Sequence, residues 1–341
     1  MIGNPERLCQ IASGELRGLR FSVARGILRA LSVAYGAAVW VRGRCYGSGL
    51  FARRKVGRPV ISVGNITVGG TGKTPLAGWL CRKLREAGRS PAVLTRGYGA
   101  DEVELLERYS GAPVHVGVDR AELAERVEGA DCLVLDDGFQ YLRLRRDVDL
   151  VLMDATNPFG FGALLPRGLL REPVASLGRA DAILLTRVDL SDAPEAVASQ
   201  IERVAGKRPI AWVRFRPAAL LSADGRDLGL DWLRGKRVGA FCGIGNPSAF
   251  YRTLERLGAE VVLRQSFRDH HWFAPEELDR LARETRRLRA DLTVTTEKDA
   301  IRIRPPVPEG LCVLRNEVEF VSGEGELVSL VMDGIRRASQ A

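Results

Sequence analysis

Side chains that bind metals or cross-link chains are scarce: 341 residues hold three histidines and six cysteines, and no two cysteines form a C-x-x-C pair. Cys9, Cys45, Cys81, Cys132, Cys242 and Cys312 lie far apart, and Cys81, Cys132 and Cys242 fall within apolar helix or strand patterns. That spacing argues against a disulfide framework and against a zinc site, and fits reduced core thiols of a cytoplasmic protein. Low-complexity tracts are missing, so disorder is not the default for any long segment, and no repeat of fixed period marks a solenoid. Long apolar runs are missing too. The uncharged stretch from Ala30 to Val41 falls well short of the ~20 residues that cross a bilayer, and no small-residue cleavage site follows it. Neither a spanning helix nor a cleaved signal is expected.

What is present is a globular composition, 45% hydrophobic and 27% charged, in a length that points to two domains. The formal net charge of +9, from 51 Lys and Arg against 42 Asp and Glu, favours an anionic partner: a nucleotide, a nucleic acid or an anionic lipid surface. Residues 1–44 form a basic, amphipathic helical region in which Ile27, Leu28, Leu31, Val39 and Val41 are interspersed with Arg20, Arg25, Arg29, Arg42 and Arg44. Its arginines, with Tyr35 and Trp40 toward one end, suit a helix lying in a membrane interface with its cations on anionic head groups. A helix packed on the domain explains the same pattern equally well.

From Arg58 onward, short β-rich runs alternate with amphipathic helical stretches, the pattern of βα units around a parallel sheet. Strands are predicted at 59–64, 92–95, 114–118, 132–135, 150–153 and 182–185, with a helix over 72–87 closed by Gly88 and an Asp119-x-x-Glu122 capping box opening another. A strand at 209–215 and a polar stretch at 222–227 break the rhythm. The boundary is therefore placed between an α/β domain at 45–215 and a second, smaller α/β domain at 216–341. The second has strands at 238–242, 261–263, 292–295 and 312–314 and helices at 247–257, 275–288 and 326–337.

Between the first strand and its helix lies Gly69-Gly70-Thr71-Gly72-Lys73-Thr74. A phosphate cradle needs backbone N–H groups converging at a helix N-terminus, and glycines permit this by close approach and positive φ. In such a P-loop, Lys73 reaches the β and γ phosphates of a nucleoside triphosphate and the Thr74 hydroxyl binds Mg2+. Thr67 stands where the strict pattern has a small residue, usually Gly. Cys132-Leu133-Val134-Leu135-Asp136-Asp137 fits the buried strand that ends on the acidic residue serving Mg2+, because adjacent carboxylates there need a cation or donors; a solvated turn is the weaker reading. Asp154, Asp189 and Asp299 also follow apolar strands and read more commonly as helix caps. Thr186-Arg187-Val188-Asp189 partly matches the T/N-K-x-D element that reads guanine, with Arg187 in place of Lys, and keeps a P-loop GTPase or regulatory NTPase as the alternative.

Several less common segments need one explanation: Val63-Gly64-Asn65, Thr95-Arg96-Gly97-Tyr98-Gly99, Asp136-Asp137-Gly138-Phe139-Gln140, Leu165-Pro166-Arg167-Gly168-Leu169-Leu170-Arg171-Glu172-Pro173, Phe267-Arg268-Asp269-His270-His271 and Thr296-Glu297-Lys298-Asp299. In this order they resemble the tetraacyldisaccharide 4'-kinase family of the lipid A pathway over nearly the whole chain. The resemblance implies an ATP- and Mg2+-dependent kinase on the cytoplasmic face of the bacterial inner membrane. It would phosphorylate the 4'-hydroxyl of a tetraacylated glucosamine disaccharide 1-phosphate, with no nucleic acid and no obligate protein partner. It also implies that 45–215 is the kinase domain and that the smaller domain closes an active-site cleft.

The family's general base is an Asp of a Gly-Asp-Glu-Pro segment assisted by a His; the nearest matches are Asp101, in a shortened segment, and His270. A hydroxyl nucleophile needs such a base within hydrogen-bond reach. Without the resemblance, Asp101 reads as a helix cap for 102–109 and His270 as a surface-loop residue. Arg171, a further candidate for the catalytic set with Lys73, and Arg96 suit anionic groups of substrate or nucleotide, with structural salt bridges an equal alternative. Two departures stand out: Tyr141 where the family usually has His, and Thr95 where it usually has Ser.

Overall fold

A computed structural model describes residues 18–97, 99–268, 271–305, 307–308 and 310–340. In chain order the elements are α1 (Leu19–Gly47), β1 (Val60–Asn65), α2 (Lys73–Glu86), β2 (Pro91–Thr95), α3 (Ala100–Ser110), β3 (Val114–Val116), α4 (Arg120–Arg126), β4 (Cys132–Asp136), β5 (Val148–Asp154), β6 (Ala182–Thr186) and α5 (Pro194–Ala205). They continue with β7 (Ile210–Ser222), β8 (Arg237–Cys242), α6 (Pro247–Arg256), β9 (Glu260–Ser266), α7 (Pro275–Arg287), β10 (Leu292–Thr296), α8 (Glu297–Ala300), β11 (Leu311–Ser322) and α9 (Glu324–Gln340).

The chain forms two compact units. One comprises the residues up to Gly97, Tyr109–Arg214 and those from Phe320 onward; the other comprises Tyr98–Arg108 and Phe215–Glu319. In the first the strand order is β3-β2-β4-β1-β5-β6-β7, with every pairing parallel. Strands β1, β2 and β6 are buried at every residue, as a parallel sheet covered on both faces requires. Following β1 the chain turns to β2 on one side, whereas β5 lies on the other, so the loop after β1 opens where the strand order reverses. Ligands of open α/β sheets bind at such a point. Helix α2 packs over it by Leu76, Trp79, Leu80, Cys81 and Leu84.

The smaller unit has parallel strands in the order β11-β10-β8-β9. Its apolar core gathers Val238, Ala240, Phe250, Leu254, Val294 and Leu314. The expected boundary at 215/216 falls beside the change of unit at Arg214, but two expectations are corrected. Residues 320–341 return to the first unit: Phe320 packs on Trp79 with ring centroids 4.4 Å apart, and Lys83 pairs with Glu324 at 3.3 Å. Residues 98–108, placed by the sequence in the first domain, belong to the second.

Candidate active site

Strand β1 ends on Asn65, which is fully buried and ties three segments together. Its Nδ2 donates to Thr71 Oγ1 at 3.0 Å, its Oδ1 accepts from Arg171 Nη1 at 3.2 Å, and its carbonyl accepts from Gln140 Nε2 at 2.7 Å. The chain then enters the glycine loop through a short antiparallel contact with the segment before Arg171: Thr67 bridges Leu170, Val68 N donates to Leu169 O at 2.8 Å and Arg171 N to Ile66 O at 2.7 Å. Thr67 is thus strand-paired, a setting open to any side chain, which accounts for the missing glycine. Gly69 (φ 120°) and Gly72 (φ 90°) take the left-handed backbone that wraps the loop, and Gly72 caps the N-terminus of α2. Lys73 and Thr74 occupy the first two positions of that helix.

β4 lies beside β1 with Val63 in register with Asp136. Thr95 Oγ1 donates to Asp136 Oδ2 at 3.3 Å. Asp137, at φ 51°, turns its carboxylate to Arg171, accepting at 2.7 and 3.0 Å, with Lys73 Nζ at 3.7 Å. Burial pushes this carboxyl up, but Lys73 and Arg171 together outweigh it and hold it below the usual carboxylate range. Lys73, Arg171, Asp137 and Asn65 therefore form one cluster at the phosphate loop, with Thr74 one residue away. The hydroxyl of Thr74 and the carboxylate of Asp136 are hard oxygen donors suited to Mg2+, whereas both oxygens of Asp137 accept from Arg171.

Arg120 and Tyr141 stand behind this cluster. Arg120, 8% exposed, places its guanidinium 4.0 Å from the Tyr141 ring centroid. The Tyr141 hydroxyl donates to Asp119 Oδ1 at 2.8 Å and accepts from Ala121 N at 3.2 Å, while Glu122 N donates to Asp119 at 3.3 Å. The residue that replaces the family histidine thus helps to cap α4. Arg187, in the left-handed region at φ 57°, donates to Asp154 and to the Gly70 carbonyl, and Asp189 is exposed. This arginine buttresses the phosphate loop instead of reading a base.

Asp101 lies in the smaller unit. It is the second residue of α3, so the helix-cap reading gives way: its Oδ2 accepts from Arg302 Nε at 2.7 Å and Nη2 at 2.5 Å, in a pair 5% and 0% exposed. Arg302 Nη1 lies 3.5 Å from Asp299, which accepts from Thr296 Oγ1 at 2.6 Å. Burial pushes the Asp299 carboxyl above its ordinary range against those partners. Thr296, and not Asp299, caps α8. Asp154 does cap its turn, accepting from Thr156 N at 2.9 Å. His270 lies outside the described residues. Its neighbour His271 bonds Glu277 at 2.8 Å and stacks on Phe267. Sequence reasoning singled out neither Asn65 as a hub nor Arg120 nor Arg302; only Asn65 left a signal, a polar residue closing an apolar strand.

Along α1 the face carrying Ser32, Tyr35 and Gly36 packs on the rest of the first unit. Ser32 Oγ bonds Leu164 O and Arg167 N, each at 2.9 Å, and Tyr35 OH donates to Arg171 O at 2.8 Å. A largely apolar groove of about 570 Å³ runs beside it, lined among others by Val33, Gly36, Leu164, Leu170 and Val174, with Arg29 and Arg167. No helix among the described residues is long and apolar enough to cross a membrane.

The family model for tetraacyldisaccharide-1-P 4'-kinase matches residues 24–336. A tetraacyldisaccharide 4'-kinase of Anaeromyxobacter sp. (strain Fw109-5) is 45% identical over 338 residues, covering 89% of this chain and 88% of the relative. That of Geobacter metallireducens is 38% identical over 82% of this chain and 88% of its own length. Among solved structures, LpxK from Aquifex aeolicus in complex with ATP superposes with a TM-score of 0.71 at 27% identity, covering 92% of this chain and 99% of that one. A P-loop unit with this strand order, an Asp137–Arg171–Lys73 cluster at its phosphate loop and a match over residues 24–336 lead to one conclusion: the chain belongs to the tetraacyldisaccharide-1-P 4'-kinase family.

Proposed function

We propose that Lys73, Arg171, Asp101 and His270 carry the reaction by which this ATP-dependent kinase of lipid A biosynthesis phosphorylates its lipid disaccharide. The γ-phosphate goes to the 4'-hydroxyl of a tetraacylated glucosamine disaccharide 1-phosphate. The observation that carries the reading is the pairing of Lys73 and Arg171 on one half-buried carboxylate, Asp137, at the mouth of the phosphate loop. The loop Gly69-Gly70-Thr71-Gly72 at the N-terminus of α2 cradles the phosphates, and the two cations place positive charge where charge builds up on the transferred group. Thr74 and Asp136 hold Mg2+, with Asp137 keeping the cations in place. The ion, when bound, offsets phosphate charge. Asp101 takes the hydroxyl proton as the bond to phosphorus forms, and His270 assists it.

The finer localisation rests on α1. Val23, Ile27 and Leu31, at i, i+4 spacing, are 56, 59 and 52% exposed, and Trp40 is 63% exposed, beside exposed Arg20, Arg29, Arg42 and Arg44. An apolar row flanked by arginines suits the head-group region at the cytoplasmic face of the inner membrane. The groove between α1 and residues 161–174 receives an acyl chain of the substrate.

Incubating the full chain with γ-labelled ATP and the lipid acceptor tests the whole reading. Label should enter the lipid with wild type and be lost with Lys73→Ala and with Asp101→Ala. Phosphate release without lipid labelling, or a marked preference for GTP, would refute it.

A further inference from the structure

We propose that Arg302 is a positioning residue for phosphoryl transfer, holding the carboxylate of Asp101 in place and aimed for the acceptor hydroxyl. This rests on the reading of Asp101 as the base. Arginine is almost never fully buried without a dedicated partner, yet Arg302 has no exposed surface. Its fork is fixed from two sides. Nη1 faces Asp299 at 3.5 Å and the Gly243 carbonyl at 3.4 Å, and Asp299 is itself held by Thr296. From that anchorage, Nε and Nη2 both reach the same atom, Asp101 Oδ2, across a separation of 201 residues. A structural ion pair needs only proximity, whereas two donors converging on one oxygen fix where that oxygen sits.

The other oxygen is set as well. A Cβ on Gly99 would lie 2.2 Å from Asp101 Oδ1, so the carboxylate lies close over backbone that only glycine leaves clear. With Oδ2 held by the guanidinium, the carboxylate is fixed where it can take the proton. The 4'-hydroxyl oxygen forms the new P–O bond and its proton passes to the Asp101 carboxylate. The bond from the γ-phosphorus to the β–γ bridging oxygen breaks, its electron pair leaving on ADP. Arg302 touches none of these atoms and acts through Asp101.

The test is a double-mutant cycle on the full chain with ATP and the tetraacylated disaccharide 1-phosphate, reading kcat and KM for ATP separately. Arg302→Gln should lower kcat by about 10²-fold, the lower end of what a general base supplies, with KM for ATP unchanged, and Arg302→Lys should recover about tenfold of that loss. In an Asp101→Asn background either substitution should change kcat by less than about twofold, because the two residues act as a unit. Equal losses in both backgrounds, or unchanged kcat in the soluble Arg302 variants, overturn the proposal. Where Arg302→Gln does not fold, Arg302→Lys decides on the same criterion: a loss confined to the Asp101 background supports it and an equal loss in both overturns it. Wild-type turnover by Asp101→Asn alone removes the base assignment itself, and this proposal with it.

Discussion

Asp137 adopts a positive φ of 51° so that one carboxylate can meet two cations of the phosphate loop. Its folded pKa lies below the unfolded value, so its contribution to stability is present above the unfolded pKa and is lost as pH falls through the folded one. Asp137→Asn should therefore cost about 1.5–3 kcal/mol at pH 7, the range for hydrogen bonds to charged groups. The gap to wild type should narrow below about pH 4, the ordinary carboxylate range. Urea unfolding across that window checks the sign; a gap independent of pH would contradict it. At this scale the sequence was informative wherever chemistry is local. Lys73 and Thr74 are placed by the glycines before them, and Asp136 and Asp137 by the apolar strand they end. The partner of Asp101 was illegible because Arg302 sits 201 residues away, with nothing in its surroundings to mark it.

Elements explain why the motifs travel together. A Cβ on Gly64 would lie 2.6 Å from Phe139 Cβ and 2.7 Å from Phe139 N, so the glycine of Val63-Gly64-Asn65 is the space into which Asp136-Asp137-Gly138-Phe139-Gln140 fits. Gly64→Ala should destabilise the chain by about 1–3 kcal/mol, as overpacking does. By displacing the turn that carries Asp137 it should also shrink the rise in melting temperature that ATP produces; a full ATP shift would disprove that link. Strands β1, β2 and β4 to β6 were legible because buried parallel strands read as continuous apolar runs. The full lengths of β7 and β11 were not, since both continue through polar, exposed or half-buried residues such as Arg216 and Glu319, which pair at 3.2 Å. The packed reading of the N-terminal helix holds for the face bonded to Leu164 and Arg171, while the face bearing exposed Val23, Ile27 and Leu31 is the one proposed for the membrane interface. Deleting residues 1–44 should lower partition into anionic vesicles, and unchanged partition would refute the anchor.

For the whole molecule the decisive feature is the return of the chain's last segment to the unit where it began. In α9, Leu327, Val331 and Ile335 are buried, each side chain contributing about 1.5–3 kcal/mol by its removal from water. A chain ending at residue 322 should therefore melt well below the full chain and lose ATP-dependent stabilisation, although the phosphate loop lies far away in sequence; an unchanged melt would show that α9 is dispensable. The smaller unit, assembled from residues 98–108 and 215–319, has a further consequence for inheritance. Any gene chimera of two family members joined between codons 102 and 301 takes its Asp101 from one parent and its Arg302 from the other. The two positions are thus exposed to mismatch by more than half of the possible single crossovers within the gene, and such recombinants keep the pair only where both parents supply compatible partners.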